Sequence, residues 1–411
     1  MAITDVTKNT ESYPAIFRRR VLLNAKYWKD YVNKQANEVE ALDHERDRII
    51  KAISFALELD EAWPSVGELI ETLSPYMERR GFWDTWNRVL KRTLVVARKT
   101  EDMARVVSLS VLLARLLFQQ SRHNESVAYY RQTIPLARKI GDQFNEARAC
   151  TNLGYYYVEH GQWYRAEVLC CHALELFEQL GSDHGRAHTE NHLGVLYHTQ
   201  GRWDEARHHL ERACAIWQAM GDEHGAMRGF LNLGALYIHT GKFDEALEYL
   251  QKALSQAHLT GEEMAIGTIY SNMGMVYRSN GDLAKAETYS KQAETIFQQF
   301  SNIAELARVW NGLGLIYFSQ DKQSEAISYL ERSLEIWHNL GDKIREIKIL
   351  IDIAECEFIS QNWQEAKTQL NTIQQLIGPN YDDRQYRHLQ PRIEKLCRSL
   401  SEKLSQQAAT D

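Results

Sequence analysis

A forty-residue unit recurs without slippage over residues 141–380. Its centre reads N-L-G-x-x-Y, then three residues, then G-x-[WF]-x-x-A. Asn152, Leu153, Gly154, Tyr157, Gly161, Trp163 and Ala166 spell one copy. Asn232, Leu233, Gly234, Tyr237, Gly241, Phe243 and Ala246 spell another. A strict period of this length points away from one globular core and toward stacked units, each burying its apolar face against its neighbours.

Each unit divides into two amphipathic helices. The first, helix A, is expected near Gln143–Glu159, where Ala147, Cys150, Leu153, Tyr157 and Val158 recur at three- and four-residue spacing. Gly161 ends it, and helix B follows over about 162–180 with Ala166, Leu169, Cys170, Ala173, Leu174 and Phe177 on one face. Gly154, Gly194, Gly234, Gly274 and Gly314 share one phase, and Ala166, Ala206, Ala246, Ala286, Ala326 and Ala366 another. Small residues at fixed phases imply close helix approach. Tyr157, Tyr197, Tyr237, Tyr277 and Tyr317 are placed to fill the space beside them. Gly141-Asp142, Gly221-Asp222 and Gly341-Asp342 form the joints, glycine closing one helix and aspartate capping the next. Gly181-Ser182 and Gly261-Glu262 are variants.

Four segments are expected: an N-terminal helical segment (1–60), two degenerate repeats (61–140), six clear repeats (141–380), and a C-terminal capping helix with a frayed tail (381–411). Residues 13–58 read as two helices, with Leu22, Tyr27, Tyr31 and Val32 on the first and Ile49, Ile50, Ile53 and Leu57 on the second. Tyr386, Leu389, Ile393, Leu396 and Leu400 give the terminal helix an apolar face, and Pro391 either kinks or starts it. Residues 405–411 are expected to fray.

A net charge of −7 gives no case for nucleic-acid binding. Residues 1–20 lack the apolar centre of a signal peptide, and no long apolar run predicts membrane insertion. Six cysteines without a C-x-x-C pair read as small buried thiols in a reducing compartment, so the expected location is cytoplasmic. Trp163, Trp203 and Tyr197 read as core packing rather than nucleotide-stacking surfaces.

The repeated residues resemble the tetratricopeptide repeat of the forty-residue subtype. Such repeats occur in the kinesin light chain, the Leu-Gly-Asn repeat protein of spindle orientation, bacterial peptide receptors and sensor arrays of bacterial signalling ATPases. The resemblance covers about residues 61–380 and is strongest from 141. It implies an all-α fold, a right-handed α-solenoid of stacked helix-turn-helix repeats with helical N- and C-terminal caps. A second resemblance runs from Tyr27-Trp28 through Leu42-Asp43-His44-Glu45-Arg46-Asp47, Ala52 and Ala56 to Gly81, Trp83 and Trp86. These residues are similar to the junction before the repeats in bacterial NB-ARC-type ATPases. No G-x-x-x-x-G-K-[ST] accompanies it, so no ATP-phosphate cradle is expected.

In this repeat family helix A lines the concave groove. The groove phase here holds Arg148, His188, Arg228, Thr268, Arg308 and Lys348. Four residues later come Asn152, His192, Asn232, Asn272, Gly312 and Asp352. Residues four apart share a helix face, so cation and amide would be presented together. Amides suit a peptide backbone and arginine suits carboxylates. Arg148, Asn152, His188, His192, Arg228, Asn232, Asn272 and Arg308 are therefore the expected groove residues for a peptide segment bearing acidic side chains. Tyr155, Val195, Met275 and Leu315 would add apolar contacts. The alternative is structural: the arginines bridge to acids of the next repeat and the asparagines brace packed helices. The expected function is a non-enzymatic protein-interaction scaffold or adaptor, or else a regulatory sensor that changes conformation on binding a peptide or small ligand. His184, His188 and His192 stand at four-residue spacing but lack H-E-x-x-H, so no metal site is expected. No cofactor and no catalytic constellation is expected either.

Overall fold

Local sequence accounts for where each helix starts and stops. Asp142, Asp222 and Asp342 each accept from the backbone N–H three residues on, and Ser182 does the same for its helix. Glu262, one carbon longer, makes no such cap. Gly141 closes the preceding helix at φ 76°, a left-handed conformation that favours glycine. Where the glycine is lost the turn persists: Glu101 and Ser301, at the same phase, adopt φ 56° and 53°.

The computed structural model describes residues 12–35, 38–378, 386 and 389–408. Among these the fold is all-α, with no strand, as the helical periodicity predicts. Two bodies are distinguished, residues 1–201 and 202–411. The first holds α1 (Tyr13–Lys34), α2 (Val39–Ala56), a short 3-10 turn, α3 (Trp63–Arg79), α4 (Trp83–Lys99), α5 (Met103–Gln119), α6 (His123–Ile140), α7 (Gln143–Glu159), α8 (Trp163–Gln179) and α9 (Asp183–Thr199). The second holds α10 (Trp203–Met220), α11 (Glu223–His239), α12 (Phe243–Thr260), α13 (Glu263–Ser279), α14 (Leu283–Gln299), α15 (Ile303–Ser319), α16 (Gln323–Leu340), α17 (Lys343–Ile359), α18 (Trp363–Ile377) and α19 (Gln390–Ala408).

Within each body consecutive helices pack as antiparallel pairs, and helix A of one repeat also touches helix A of the next. In the first body α3, α5, α7 and α9 thus form one layer; in the second α11, α13, α15, α17 and α19 do. The small residues permit the close A–B pairing. A Cβ on Gly154 would lie 2.5 Å from Cys170 Sγ and 3.4 Å from the Ala166 carbonyl oxygen. One on Gly274 would collide with Ser290 Oγ. Tyrosines fill the adjoining space: Tyr237 stacks on Tyr249, Tyr277 on Tyr289 and Tyr317 on Tyr329.

Several expectations need correction. The buried face of α1 is Val21, Ala25, Trp28 and Val32; Tyr27 is 57% exposed, stacked on Tyr31. Trp163 and Trp203 are 44% and 41% exposed rather than core residues, because each is the first residue of its helix and lies on its outer side. Tyr197 is buried as expected, its hydroxyl donating to Glu167. Cys171 is exposed, whereas Cys150, Cys170, Cys214 and Cys356 are buried and none is disulfide-bonded. Pro135 sits inside α6 and Pro75 inside α3 without ending either helix. Pro391 is the second residue of α19, so it starts that helix rather than kinking it. The helix continues to Ala408, and residues 409–411 lie outside the described residues, as do residues 1–11.

Candidate functional site

In the first body the B helices back the A-helix layer, so the A helices present one shared face. That face holds a cleft of about 440 Å³. Pro75 of α3, Leu112 of α5 and Phe144 of α7 supply its apolar lining. Glu71, Ser108, Arg115, Asn145, Arg148 and His184 supply its polar groups. The mixture of an apolar lining with a few converging polar groups is the composition of a ligand site.

The two arginines differ sharply. Arg115 faces Glu78, a carboxylate only 7% exposed, with Nε 2.8 Å from one oxygen and Nη2 donating to the other at 2.9 Å. Burial pulls Arg115 down, but the Glu78 charge outweighs it and holds the guanidinium above its usual value. Arg148 Nη1 donates to Asn145 Oδ1 at 3.0 Å, and its guanidinium lies 5.7 Å from the Phe144 ring centre. It forms no ion pair among the described residues. Burial, and then repulsion from Arg115, push Arg148 down to about 10. A partly desolvated cation beside a like charge gains from any carboxylate placed against it.

The other expected groove residues of this body lie on the same layer. Asn152 is half-buried, beside the buried Tyr130 of α6. His188 and His192 are half-buried on α9. His188 packs 4.5 Å from His184, ring centre to ring centre. Phe118, Tyr155 and His192 form a row across α5, α7 and α9, at 6.1 Å and 4.6 Å between successive rings. Among the described residues no three His, Cys, Asp or Glu side chains cluster as metal ligands. Glu71, Ser108 and Arg115 escaped the sequence reading. Ser108 stands forty residues before Arg148, in register, but the degenerate repeats lack the Asn-Leu-Gly signature that marks the column.

In the second body Arg228 and Asn232 lie on α11, Asn272 on α13 and Arg308 on α15, all in the A-helix layer. Arg228 lies 5.5 Å from the Trp217 ring centre. Arg308 is exposed, and its Nη1 donates to Glu305 at 3.1 Å on its own helix. Among the described residues neither Arg148 nor Arg308 bridges to the next repeat. Thr268 turns back to its own helix, Oγ1 donating to the Met264 carbonyl at 3.2 Å. The amide column ends at Asp352, which is 8% exposed. Asn311 Nδ2 donates to Asp352 at 3.0 Å and Arg392 Nη2 donates at 2.8 Å. Arg392 also pairs with Glu355, with Nη2 2.6 Å from one of its oxygens. The capping helix α19 therefore occupies this end of the face.

Comparison with known proteins agrees with this architecture. Residues 153–344 match the family model described as the MalT-like TPR region. No curated protein sequence matches. Among solved structures, the chain is similar to a signal-transduction ATPase with numerous domains from Pyrococcus horikoshii that carries a tetratricopeptide repeat sensor. That likeness has TM-score 0.58 and 16% identity, covering 86% of this chain but only 55% of that ATPase. It is similar to the apo form of the quorum sensor NprR from B. thuringiensis (TM-score 0.60, 15% identity, 88% of this chain, 100% of that one). It is also similar to a Rap protein complexed with competence and sporulation factor (TM-score 0.56, 16% identity, 82% of this chain, 98% of that one). At these identities the likeness is one of fold. Over residues 153–344 the forty-residue units match tetratricopeptide repeats.

Proposed function

We propose that this chain is a peptide-binding repeat protein, and that the A-helix face of its first body takes an extended segment carrying a carboxylate. The observation that carries this reading is Arg148: a partly desolvated guanidinium without an ion pair, on the wall of a 440 Å³ cleft. Asn145 steers it, Phe144 and Leu112 offer apolar contact, and the aromatic row beyond continues the surface toward α9. In the second body Arg228, Asn232, Asn272 and Arg308 offer a further stretch of the same chemistry. An adaptor role follows from such a face, since a rigid stack displaying polar groups recruits partners without chemistry of its own.

The test is selection from a random twelve-residue peptide library displayed on phage, using the full chain as bait. Wild type enriches Asp and Glu over the input library, and Arg148→Glu abolishes that enrichment while helicity and melting stay unchanged. Wild-type selection without acidic enrichment overturns the reading. A second reading, a regulatory sensor, is favoured by fold likeness to NprR, to the Rap protein and to the repeat sensor of the ATPase. It uses the same face and adds a conformational response.

A further inference from the structure

The cleft beside Arg148 has a second charged wall. Glu71 of α3 lines it across α5 from Arg148 of α7. The other guanidinium lining the cleft, Arg115, is closed on the buried Glu78 by two contacts at 2.8 and 2.9 Å. Glu71 accepts from the Ser108 hydroxyl, which orients one oxygen. The cation nearest its other oxygen is Arg105, with Nε 4.0 Å away. Two of its three nitrogens are committed elsewhere: Nη1 donates to Asp102 at 3.0 Å and Nη2 to the Pro64 carbonyl at 3.2 Å, while Nε stands beyond hydrogen-bond distance of Glu71. The cleft thus offers a carboxylate on one side and a guanidinium on the other, with Pro75 and Leu112 among its apolar groups.

From this we infer that the cleft recognises a bipolar peptide segment, with an acidic side chain on Arg148 and a basic side chain or free α-ammonium on Glu71. The inference rests on the peptide reading above and adds the cationic half of the ligand. The two walls set the spacing. Packed helices lie about 8–10 Å apart, so α3 and α7 are separated by roughly 16–20 Å across α5. Long side chains reach inward from both sides. The remaining gap is one that about two to four residues of extended chain cover, at about 3.4 Å each. Opposite charges at this separation also reject a uniformly acidic or uniformly basic segment, because one wall then meets a like charge.

The same peptide library tests it. Wild type selects peptides in which Lys, Arg or a free N-terminus stands two to four positions from an Asp or Glu, at least threefold above the input frequency. Glu71→Lys removes the basic partner from the selected set while the acidic residue persists. Glu71→Gln, isosteric and free of a new charge, weakens a selected bipolar peptide about tenfold by calorimetry and leaves its variant lacking the basic residue unchanged. Acidic peptides selected without a basic partner, or a bipolar peptide bound equally by wild type and Glu71→Gln, overturn the bipolar ligand but leave peptide binding standing. Selection with no charge preference overturns both.

Discussion

At the scale of single residues, two glycines on helix A make opposite statements. Gly154 has no room for a methyl group, since its Cβ would meet Cys170 Sγ at 2.5 Å with the Ala166 carbonyl oxygen behind. Gly154→Ala should therefore destabilise by about 1–3 kcal/mol through overpacking. Gly312 is helical, has no positive φ, and would place its Cβ with nothing within 4 Å. Gly312→Ala should stabilise by about 1 kcal/mol, because only the flexibility of glycine is removed. Thermal melts of both variants in one buffer decide the matter, and a melting point lowered in both contradicts it. Sequence periodicity made the close approach at Gly154 legible, because the glycine recurs. It also made Gly312 legible as an irregularity, standing where Asn152, Asn232 and Asn272 stand. It could not say that Arg148 forms no ion pair among the described residues or that Asn152 lies beside Tyr130, because both facts depend on which side chains neighbouring helices bring near.

At the scale of elements, the helix boundaries were largely written in the joints. α7 spans Gln143–Glu159 as the pattern predicted, and α8 begins and ends within a residue of its expected limits. What the pattern could not supply was the fate of the terminal helix's polar side. The apolar face of α19 packs through Leu389, Ile393, Leu396 and Leu400, as its spacing suggested. Its polar side carries Arg392 to Asp352 and Glu355, residues of α17 forty and thirty-seven positions earlier. This contact also explains why the amide column fails at Asp352. Removing Arg392 would leave a largely buried carboxylate with the Asn311 amide as its one hydrogen-bond donor among the described residues. Loss of a charge-assisted bond of this kind costs roughly 1–3 kcal/mol. Arg392→Ala should accordingly speed amide hydrogen exchange in α19 by about ten- to a hundredfold while α7 and α11 exchange as before. Unchanged exchange in α19 would show that its apolar face alone holds it.

At the scale of the whole molecule, a repeat array couples each unit mainly to its neighbours, so a ligand's influence decays unless the stack has a second arrangement to adopt. That separates an adaptor from a sensor by an observable. A peptide selected through Arg148 contacts the A-helix face built by α3, α5 and α7. In an adaptor, hydrogen-exchange protection on peptide binding is confined to these helices and the B helices packed on them. In a sensor, protection or deprotection reaches α1 and α2, which would pass the signal on, or α13 to α17, which do not line the cleft. The double variant Arg228→Glu with Asn232→Ala serves as the internal control, since neither residue lines that cleft. It should leave the α3–α7 response intact if the two bodies bind independently. If it cancels that response while the variant melts as wild type, independent binding is contradicted. We expect the confined pattern, because Arg148 and its lining partners are held by contacts within one or two repeats, and a response extending to α17 would contradict the adaptor reading.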